Sequence, residues 1–272
     1  MNAKMYAIAI WNYCREDSKL PVWIHEFADQ GFDTISFNTG LFTRISSEHL
    51  RAANAAMDER NLMATAHGSS AMTKDAMEAT LNALGDRLYA FTMDPVKRED
   101  SRGTLYDGRK MAEALATVLD LTDGTNIKVA IEDFPLDDLA LTYYQSEFSG
   151  LYSHQRAGIL IDVGHMHMRM KRSPYFSSLS IEEYFRRLPC PLVEVHVHDN
   201  HGLKDEHGHL GLGTVPFAEV AAALTKVNFR GVSTIEIAPS FHGSTPEESK
   251  PKAFESLRLW KALFTTVNQQ GS

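Results

Sequence analysis

The chain has 272 residues, of which 43% are hydrophobic and 23% are charged, and its formal net charge is −8. This composition supports a large buried core and excludes a disordered protein, and the length suits one large domain. The acidic balance argues against a broad electrostatic grip on DNA or RNA, which needs clustered Lys and Arg.

Eight short apolar runs follow one another along the chain. Each is rich in Val, Ile and Leu and is about as long as a buried strand. The runs lie at residues 5–11, 33–39, 62–68, 87–93, 128–134, 157–165, 192–199 and 232–239.

Amphipathic, helix-like stretches separate these runs. Ser46 and Thr73 stand where helix N-caps are expected, and Gly85 stands where a helix would end. The segment 136–150 is less regular, and we interpret it as a helix with irregular ends. The predicted helices lie at 21–30, 46–60, 72–85, 107–122, 180–188, 216–227 and 251–267.

A strand followed by a helix, repeated eight times without a long linker, predicts a closed parallel (β/α)₈ TIM barrel. We expect residues 1–272 to form this single domain. A doubly wound open sheet would also alternate strands with helices. However, it rarely needs eight strands in so short a chain, and no Gly-rich phosphate fingerprint follows the first strand.

Active sites of such barrels form at the C-terminal ends of the strands. Glu132, Asp162, His196 and Glu236 stand there on predicted strands five to eight. A single buried carboxylate is often paired with Lys or Arg, but neither residue type occurs at these four strand ends. Because three converging carboxylates repel one another, they call for a cation. Three carboxylates and an imidazole suit Mn²⁺, Mg²⁺, Co²⁺ or Zn²⁺.

The same region carries a resemblance to a known family. The segments AIEDF, LIDVGHMH, VHVHDNHGLKDEHGHLGLGTVPF and TIEIA occur in this order between about residues 128 and 240. They resemble signature segments of the xylose isomerase-like TIM-barrel superfamily. That superfamily includes sugar isomerases and epimerases, inosose-handling enzymes and nucleases of the endonuclease IV type.

By position, the resemblance implies that Glu132, Asp162, His196 and Glu236 bind one divalent metal ion. Glu132 and Glu236 enter from well-separated strands and could stand on opposite faces of a bound sugar, so we expect them to be the catalytic residues as well.

Further residues match positions that contact the substrate in the superfamily or a further metal in its nucleases. These are His67, His165, Asp205 and His207. A second, weaker metal position near the last three therefore stays open. We expect Asp199 to orient the loop or a metal ligand without binding the metal itself.

The stretch VEVHVHDNHGLKDEHGH, residues 193–209, is thereby interpreted as a strand end and a loop above a metal-bearing barrel mouth. Its other histidines, His198, His201 and His209, have weaker claims, since a loop histidine is usually solvent-exposed or satisfied locally.

Two features flank this region. Trp11 and Asn38, at the ends of strands one and two, could contact a substrate as an apolar wall and a polar partner. Barrel filling is an alternative role for Trp11. Arg169, Lys171 and Arg172 could hold an anionic group of a substrate, although a solvated loop is the simpler interpretation.

These residues fit a metal-dependent sugar isomerase or epimerase that moves a proton next to the carbonyl of a keto-sugar, phosphorylated or not. One glutamate would remove the proton and the other would return it. A keto-sugar or keto-cyclitol dehydratase, which is a lyase, shares the first step and stays the nearest alternative.

Two other functions are less favoured. An abasic-site nuclease of this superfamily has a histidine on strand four where this chain has Thr92. A binding protein without activity would be favoured if a metal carboxylate were missing, and all are present.

We expect a small-molecule sugar or cyclitol partner, no nucleic acid and no membrane, and leave a homo-oligomer open. The sequence has no apolar run long enough for a membrane span or a signal peptide. Cys14 and Cys190 suggest no disulfide framework, so the default expectation is a cytoplasmic protein.

Overall fold

The computed structural model describes residues 4–100, 103–133 and 148–270. Within them, eight parallel strands run around a closed barrel in chain order, and the last pairs with the first. The predicted (β/α)₈ barrel is therefore confirmed. The barrel strands, labelled β1 to β8, are Met5–Ala9, Thr34–Asn38, Met63–Ser69, Leu88–Asp94, Lys128–Glu132, Ala157–Asp162, Leu192–Val197 and Val232–Ile235.

Helices connect the strands. The α-helices are Leu20–Asp29, Ser47–Glu59, Lys74–Leu84, Gly108–Leu121, Val163–Arg172, Pro174–Ser177, Ile181–Arg186, Phe217–Lys226 and Pro246–Gln270. Short 3₁₀ helices lie at Ile10–Asn12, Asp17–Lys19, Thr39–Leu41, Gly85–Arg87 and Pro239–His242. Residues 148–152 are also helical, but the rest of the predicted helix at 136–150 lies outside the described residues.

The predicted helix starts agree with the observed caps. The Ser46 side chain accepts a hydrogen bond from the backbone N–H of His49, and Thr73 accepts one from Ala76. Gly85 follows the third helix with a φ of 53°, a conformation that costs glycine little. These local signals placed the helix boundaries to within one or two residues.

The C-terminal helix begins five residues before its predicted start. Thr245 and Glu248 form reciprocal side chain–backbone hydrogen bonds, and Pro246 occupies the first helical position. This capping box fixes the start, so Pro251 lies inside the helix and not at its beginning. The prediction of a start at residue 251 was therefore wrong.

Two further differences lie near the barrel mouth. Lys97–Asp100 and Gly103–Tyr106 form an unpredicted antiparallel pair of strands after β4. Arg169, Lys171 and Arg172 lie in the last turn of a helix and not in a loop. Basic residues there interact favourably with the helix dipole, which gives them a structural role.

Apolar residues fill the space between the strands and the helices, while several polar side chains are buried on the barrel strands. Ser36, Thr65, Glu194 and Thr234 are linked to one another by hydrogen bonds. Because side chains alternate along a strand, the residue two positions after each of these points to the same side of its strand and lies closer to the C-terminal mouth of the barrel. None of the described helices is long and apolar enough to cross a membrane.

Candidate metal centre

The four predicted metal ligands stand at neighbouring strand ends. Glu132 and Asp162 are the last residues of β5 and β6, His196 lies in β7, and Glu236 follows β8 directly. Asp162 pairs with His196 in the strand register, so these two lie at the same height in the barrel. All four side chains are buried.

Three of the four form one compact group. One ligand atom each from Asp162, His196 and Glu236 lies within 4.8 Å of the others. Nδ1 of His196 is 2.8 Å from Oε2 of Glu236, yet the two groups are not aligned for a hydrogen bond. Neither ring nitrogen of His196 has a hydrogen-bonding partner among the described residues. Buried nitrogens without partners are costly, and a bound cation would satisfy one of them.

Glu132 belongs to an adjacent group and is connected to the first through His196. Its ligand atom lies within 4.8 Å of those of His67 and His196. Oε1 of Glu132 is 3.1 Å from Nδ1 of His165, and Oε2 is 3.4 Å from Nε2 of His67. The structure thus brings the predicted quartet into one buried region, with only three of its members in a single group.

A second group contains His165, Asp205 and His207. Oδ2 of Asp205 is 3.2 Å from Nε2 of His165 and 3.1 Å from Nε2 of His207. Nδ1 of His207 donates to the backbone oxygen of Glu236 at 3.0 Å, which leaves Nε2 facing the group. The donors are two imidazoles and a carboxylate, the set that zinc prefers.

His198 completes this second group, although sequence reasoning gave it little weight. It is fully buried, and its Nε2 lies 2.9 Å from Oδ1 of Asp162 and 3.7 Å from Oδ1 of Asp205. Its ring stacks on His207 with centroids 4.1 Å apart. His198 follows His196 by two residues, so strand alternation already placed both on one side of the chain. His201, by contrast, is largely exposed and pairs with Glu206.

Asp199 holds the loop that carries Asp205 and His207. Its buried carboxylate accepts backbone N–H bonds at 2.9–3.1 Å from four residues, and its backbone pairs with Gly208 in both directions. The donors are Asn200, Gly211, Gly213 and Val215. These contacts support the loop-orienting role expected for Asp199.

Charges at the first group compensate one another. Burial lowers the pKa of His196, but the carboxylates of Glu236, Glu194 and Glu132 together more than offset this, and the pKa lies well above its ordinary value. Burial raises the pKa of Glu236, whereas His196 and His207 bring it down to about 2. Burial likewise raises the pKa of Asp162, and His165 and His198 pull it well below its ordinary value. Protonated histidines therefore do in the metal-free protein what a cation would do in the loaded one.

Glu132 differs from Asp162 and Glu236 in the direction of its pKa shift. Burial raises the pKa of Glu132, and the nearby histidines oppose this shift without reversing it.

The pKa of His207 is shifted upwards. Burial lowers it, but Glu236 and Asp205 raise it to a net value of about 9. His207 is thus charged at neutral pH and must lose a proton before its Nε2 can bind a metal.

The remaining predicted contact residues lie beside these groups. His67 is buried, with Nδ1 2.9 Å from Oγ1 of Thr92 and Nε2 3.3 Å from Oδ1 of Asp94. Trp11 stacks on His67 with ring centroids 6.0 Å apart. Asn38 accepts a hydrogen bond from the N–H of Gly40, so its oxygen caps a 3₁₀ helix. Asp94 is a site residue that sequence reasoning missed, although it follows Thr92 by two positions on the same strand.

A cavity of about 250 Å³ opens beside Glu132 and His165. Arg169 lines it, with one Nη 3.3 Å from Oδ2 of Asp133. Arg172 instead donates to the carbonyl of Leu203. The basic residues of this helix do not form a joint clamp, and only Arg169 lines the cavity. Among the described residues, the lining consists of Asp94, Pro95, Tyr106, Glu132, Asp133, His165 and Arg169.

Comparison with known proteins places this arrangement in context. Residues 24–263 match the family model described as Xylose isomerase-like TIM barrel. Uncharacterized protein MJ1311 of Methanocaldococcus jannaschii is 25% identical over 125 residues, which are 45% of this chain and 41% of that protein. The aligned part therefore spans less than half of that relative.

Solved structures share the whole fold. A D-psicose 3-epimerase crystallised in the presence of D-fructose has a TM-score of 0.69 and 16% identity, covering 96% of this chain and 99% of that one. The probable 3-DHS dehydratase of petrobactin synthesis from Bacillus anthracis has a TM-score of 0.64 and 11% identity, covering 94% and 98%. At these identities the likeness shows the fold alone.

Proposed function

The chain belongs to the xylose isomerase-like TIM barrel family, and we propose that it is a divalent-metal-dependent sugar isomerase or epimerase. It would transfer a proton next to the carbonyl of a keto-sugar or keto-sugar phosphate. The observation that carries this proposal is the buried group of Asp162, His196 and Glu236, with Glu132 beside it. Hydrogen bonding within the described residues leaves both nitrogens of His196 unsatisfied, and this donor set fits a divalent cation.

When bound, the metal ion supplies Lewis-acid polarisation of the carbonyl and of the adjacent hydroxyl. The protein supplies the proton transfers. Glu236 takes the proton from the carbon next to the carbonyl, and the electron pair of that C–H bond forms the enediolate double bond. Glu132, whose pKa is raised by burial, would start protonated and give that proton to carbon to restore the C–H bond, which leaves Glu132 ionised and Glu236 protonated until protons exchange with solvent. The two glutamates come from different strand ends, β5 and β8, and both adjoin His196.

The cavity beside Glu132 gives the substrate a place. Arg169 offers N–H donors there, and the carboxylate of Asp94 accepts hydrogen bonds. Hydroxyl groups both donate and accept, so a polyhydroxylated substrate matches this mixed lining. His67, His165 and Trp11 adjoin the same region and are proposed to contact the substrate, while Asn38 lines a neighbouring cavity.

The second group, His165, His198, Asp205 and His207, is proposed as a second and weaker metal position. It does not by itself favour a nuclease. Thr92 takes the place of the strand-four histidine of the family's nucleases, and its hydroxyl contacts His67. The nearest alternative stays a dehydratase, which would use the same first proton transfer and then expel a hydroxyl. The fold shared with the dehydratase from Bacillus anthracis keeps this alternative in view.

One experiment separates these functions. Purified protein is analysed for bound metals and then incubated in D₂O with a panel of keto-sugars, their phosphates and inososes. An epimerase yields a stereoisomer of the substrate, and deuterium enters at the carbon that loses its proton unless the same proton is returned. A dehydratase yields an enone that absorbs in the ultraviolet. Metal-dependent incision of abasic DNA, without turnover of the panel, would contradict the proposal.

A further inference from the structure

Glu194 is a buried carboxylate that belongs to neither candidate metal group. It lies in β7, two residues before His196, so the two side chains emerge on the same side of the strand. Its exposure is 0%. It stands one layer below the candidate metal ligands in the barrel.

The contacts of Glu194 are unequal. Oε1 accepts hydrogen bonds from the hydroxyl of Thr234 and, at 3.3 Å, from that of Thr65. Oε1 also lies 3.6 Å from Nε2 of His196. Oε2 has no hydrogen-bonding partner among the described residues. A carboxylate in this state costs several kcal/mol to bury, because two hydroxyl groups do not replace its hydration.

The two nitrogens of His196 face different neighbours. Nδ1 is 2.8 Å from the carboxylate of Glu236 at the mouth, whereas Nε2 lies 3.6 Å from Oε1 of Glu194 in the layer below, too far for a hydrogen bond in the metal-free protein. A histidine that binds a metal through one nitrogen commonly donates the N–H of the other to a carboxylate. That contact fixes the ring orientation and the tautomer and raises the basicity of the ligand nitrogen.

We propose that Glu194 is a positioning residue for the metal centre: in the metal-loaded protein its carboxylate accepts the Nε2–H of His196 and thereby presents Nδ1 to the cation. This inference rests on the metal centre of the proposed function, and it adds a residue from a position outside the predicted ligand set. It also explains why the barrel keeps a costly carboxylate among Ser and Thr side chains.

The alternative role is structural, as one member of the polar layer that fills the barrel. The two roles differ in what an apolar replacement changes. Removing one member of a buried charged contact is destabilising in either case, so metal affinity and not stability separates the roles. Removing the carboxylate partner of a metal-bound histidine typically lowers metal affinity by about 10–100-fold.

The test compares Glu194→Leu and Glu194→Gln with the matched control Thr65→Val. The control removes a hydroxyl that contacts Glu194 and Ser36 but leaves the carboxylate in place. Chelator-stripped full-length proteins are titrated with Mn²⁺, which suits the carboxylate-rich first group better than the histidine-rich second one. Free Mn²⁺ is measured from its electron paramagnetic resonance signal. The melting temperature of each metal-free protein is recorded in parallel.

We expect Glu194→Leu to weaken Mn²⁺ binding by roughly 10–100-fold, and its metal-free melting temperature shows that the variant is folded at the temperature of the titration. Glu194→Gln retains an oxygen that can accept the N–H, so its loss should stay below about tenfold. Thr65→Val should bind Mn²⁺ with the wild-type Kd.

Unchanged Mn²⁺ affinity in Glu194→Leu overturns this inference and leaves the proposed function standing. Equal losses in Glu194→Leu and Thr65→Val overturn it too, since the polar layer as a whole would then be responsible. If the wild-type protein binds no divalent metal, the proposed function fails together with the inference.

Discussion

Nδ1 of His196 and Oε2 of Glu236 approach to 2.8 Å without the alignment of a hydrogen bond. In the metal-free protein this contact is an ion pair between the protonated imidazole and the carboxylate. A cation that replaces the proton would make both groups its neighbouring ligands. Burial raises the pKa of Asp162, but His165 and His198 lower it well below its ordinary value. Asp162 therefore supplies a third ionised side chain to the same group. These contacts support the proposal of a cation at the mouth of the barrel.

The first prediction concerns the base. Glu236→Gln keeps the side-chain shape and one oxygen, so the protein should retain part of its metal. Because the amide cannot accept the substrate proton, turnover should fall by roughly 10²–10⁴-fold. Metal content and turnover are measured on the same sample. A variant with full metal content and near-normal turnover would move the base elsewhere, with His165 as the first candidate.

The second prediction concerns the loop after β7. Asp199→Ala leaves four backbone N–H groups without their acceptor, and we expect a loss of about 2–4 kcal/mol in the free energy of unfolding. Asp205 and His207 lose their support, so uptake of a second equivalent of Zn²⁺ should weaken as well. Urea unfolding and Zn²⁺ titration measure the two effects.

Glu206→Gln is the control for this loop. Glu206 pairs with the largely exposed His201, and such surface pairs contribute less than about 1 kcal/mol. The control should leave both stability and Zn²⁺ uptake near the wild-type values. Equal effects of both substitutions would remove the special role of Asp199.

The third prediction concerns the packing around His198. A methyl group added at Gly164 would overlap the ring of His198, which is fully buried against Asp162. Gly164→Ala should therefore displace His198, lower the melting temperature and weaken Zn²⁺ binding at the second group. At Gly150, another helical position, no atom of the described residues lies within 4 Å of an added methyl group. Gly150→Ala should be neutral or stabilise by about 0.5–1 kcal/mol, and destabilisation of both variants alike would contradict the prediction.

The fourth prediction concerns pH in the metal-free protein. His207 has a folded-state pKa of about 9, above its ordinary value of 6.5. A raised pKa contributes stability that is fully present below pH 6.5 and is lost as the pH rises through 9. The stability of the chelator-treated protein should therefore fall over this window, by at most about 1.4 kcal/mol per pH unit from this group.

His207→Asn isolates the share of His207, because other histidines of the mouth also have raised pKa values. The stability difference between wild type and variant should shrink as the pH rises from 6.5 to 9. A difference that stays constant across this range would show that His207 does not titrate in it.

The fold could be predicted from the sequence because the hydrophobic pattern, the helix caps and the order of the elements all indicated the same architecture. Apolar runs of strand length alternated with capped amphipathic stretches, and Ser46 and Thr73 behaved as their side chains suggest. The start of the last helix was misplaced, since Pro251 was taken as the first helical residue. The capping box at Thr245 was the stronger local signal.

Part of the site could also be predicted from single strands. Each of the four predicted ligands has an ionisable side chain that is costly to bury and stands at the end of a strand. They are Glu132, Asp162, His196 and Glu236. Glu194 and His198 were given little weight, although both are two residues from His196 and therefore on its side of β7.

The sequence could not predict how the side chains at the barrel mouth divide into separate groups. Whether Glu132 joins Asp162 or turns to His67 and His165 depends on side-chain rotamers and on barrel geometry. The contacts of Asp133 could not be predicted from the sequence either. It has a φ of 55°, and its carboxylate contacts both His165 and Arg169.

We propose that Glu132, Asp162, His196 and Glu236 together hold one divalent ion. The most direct measurement is a crystal structure of the protein loaded with Mn²⁺, with an anomalous difference map collected for that metal. We predict one strong peak within about 2.0–2.4 Å of a carboxylate oxygen of each acid and of Nδ1 of His196. A map without a peak at this point, or with the four side chains directed into separate cavities, would contradict the account.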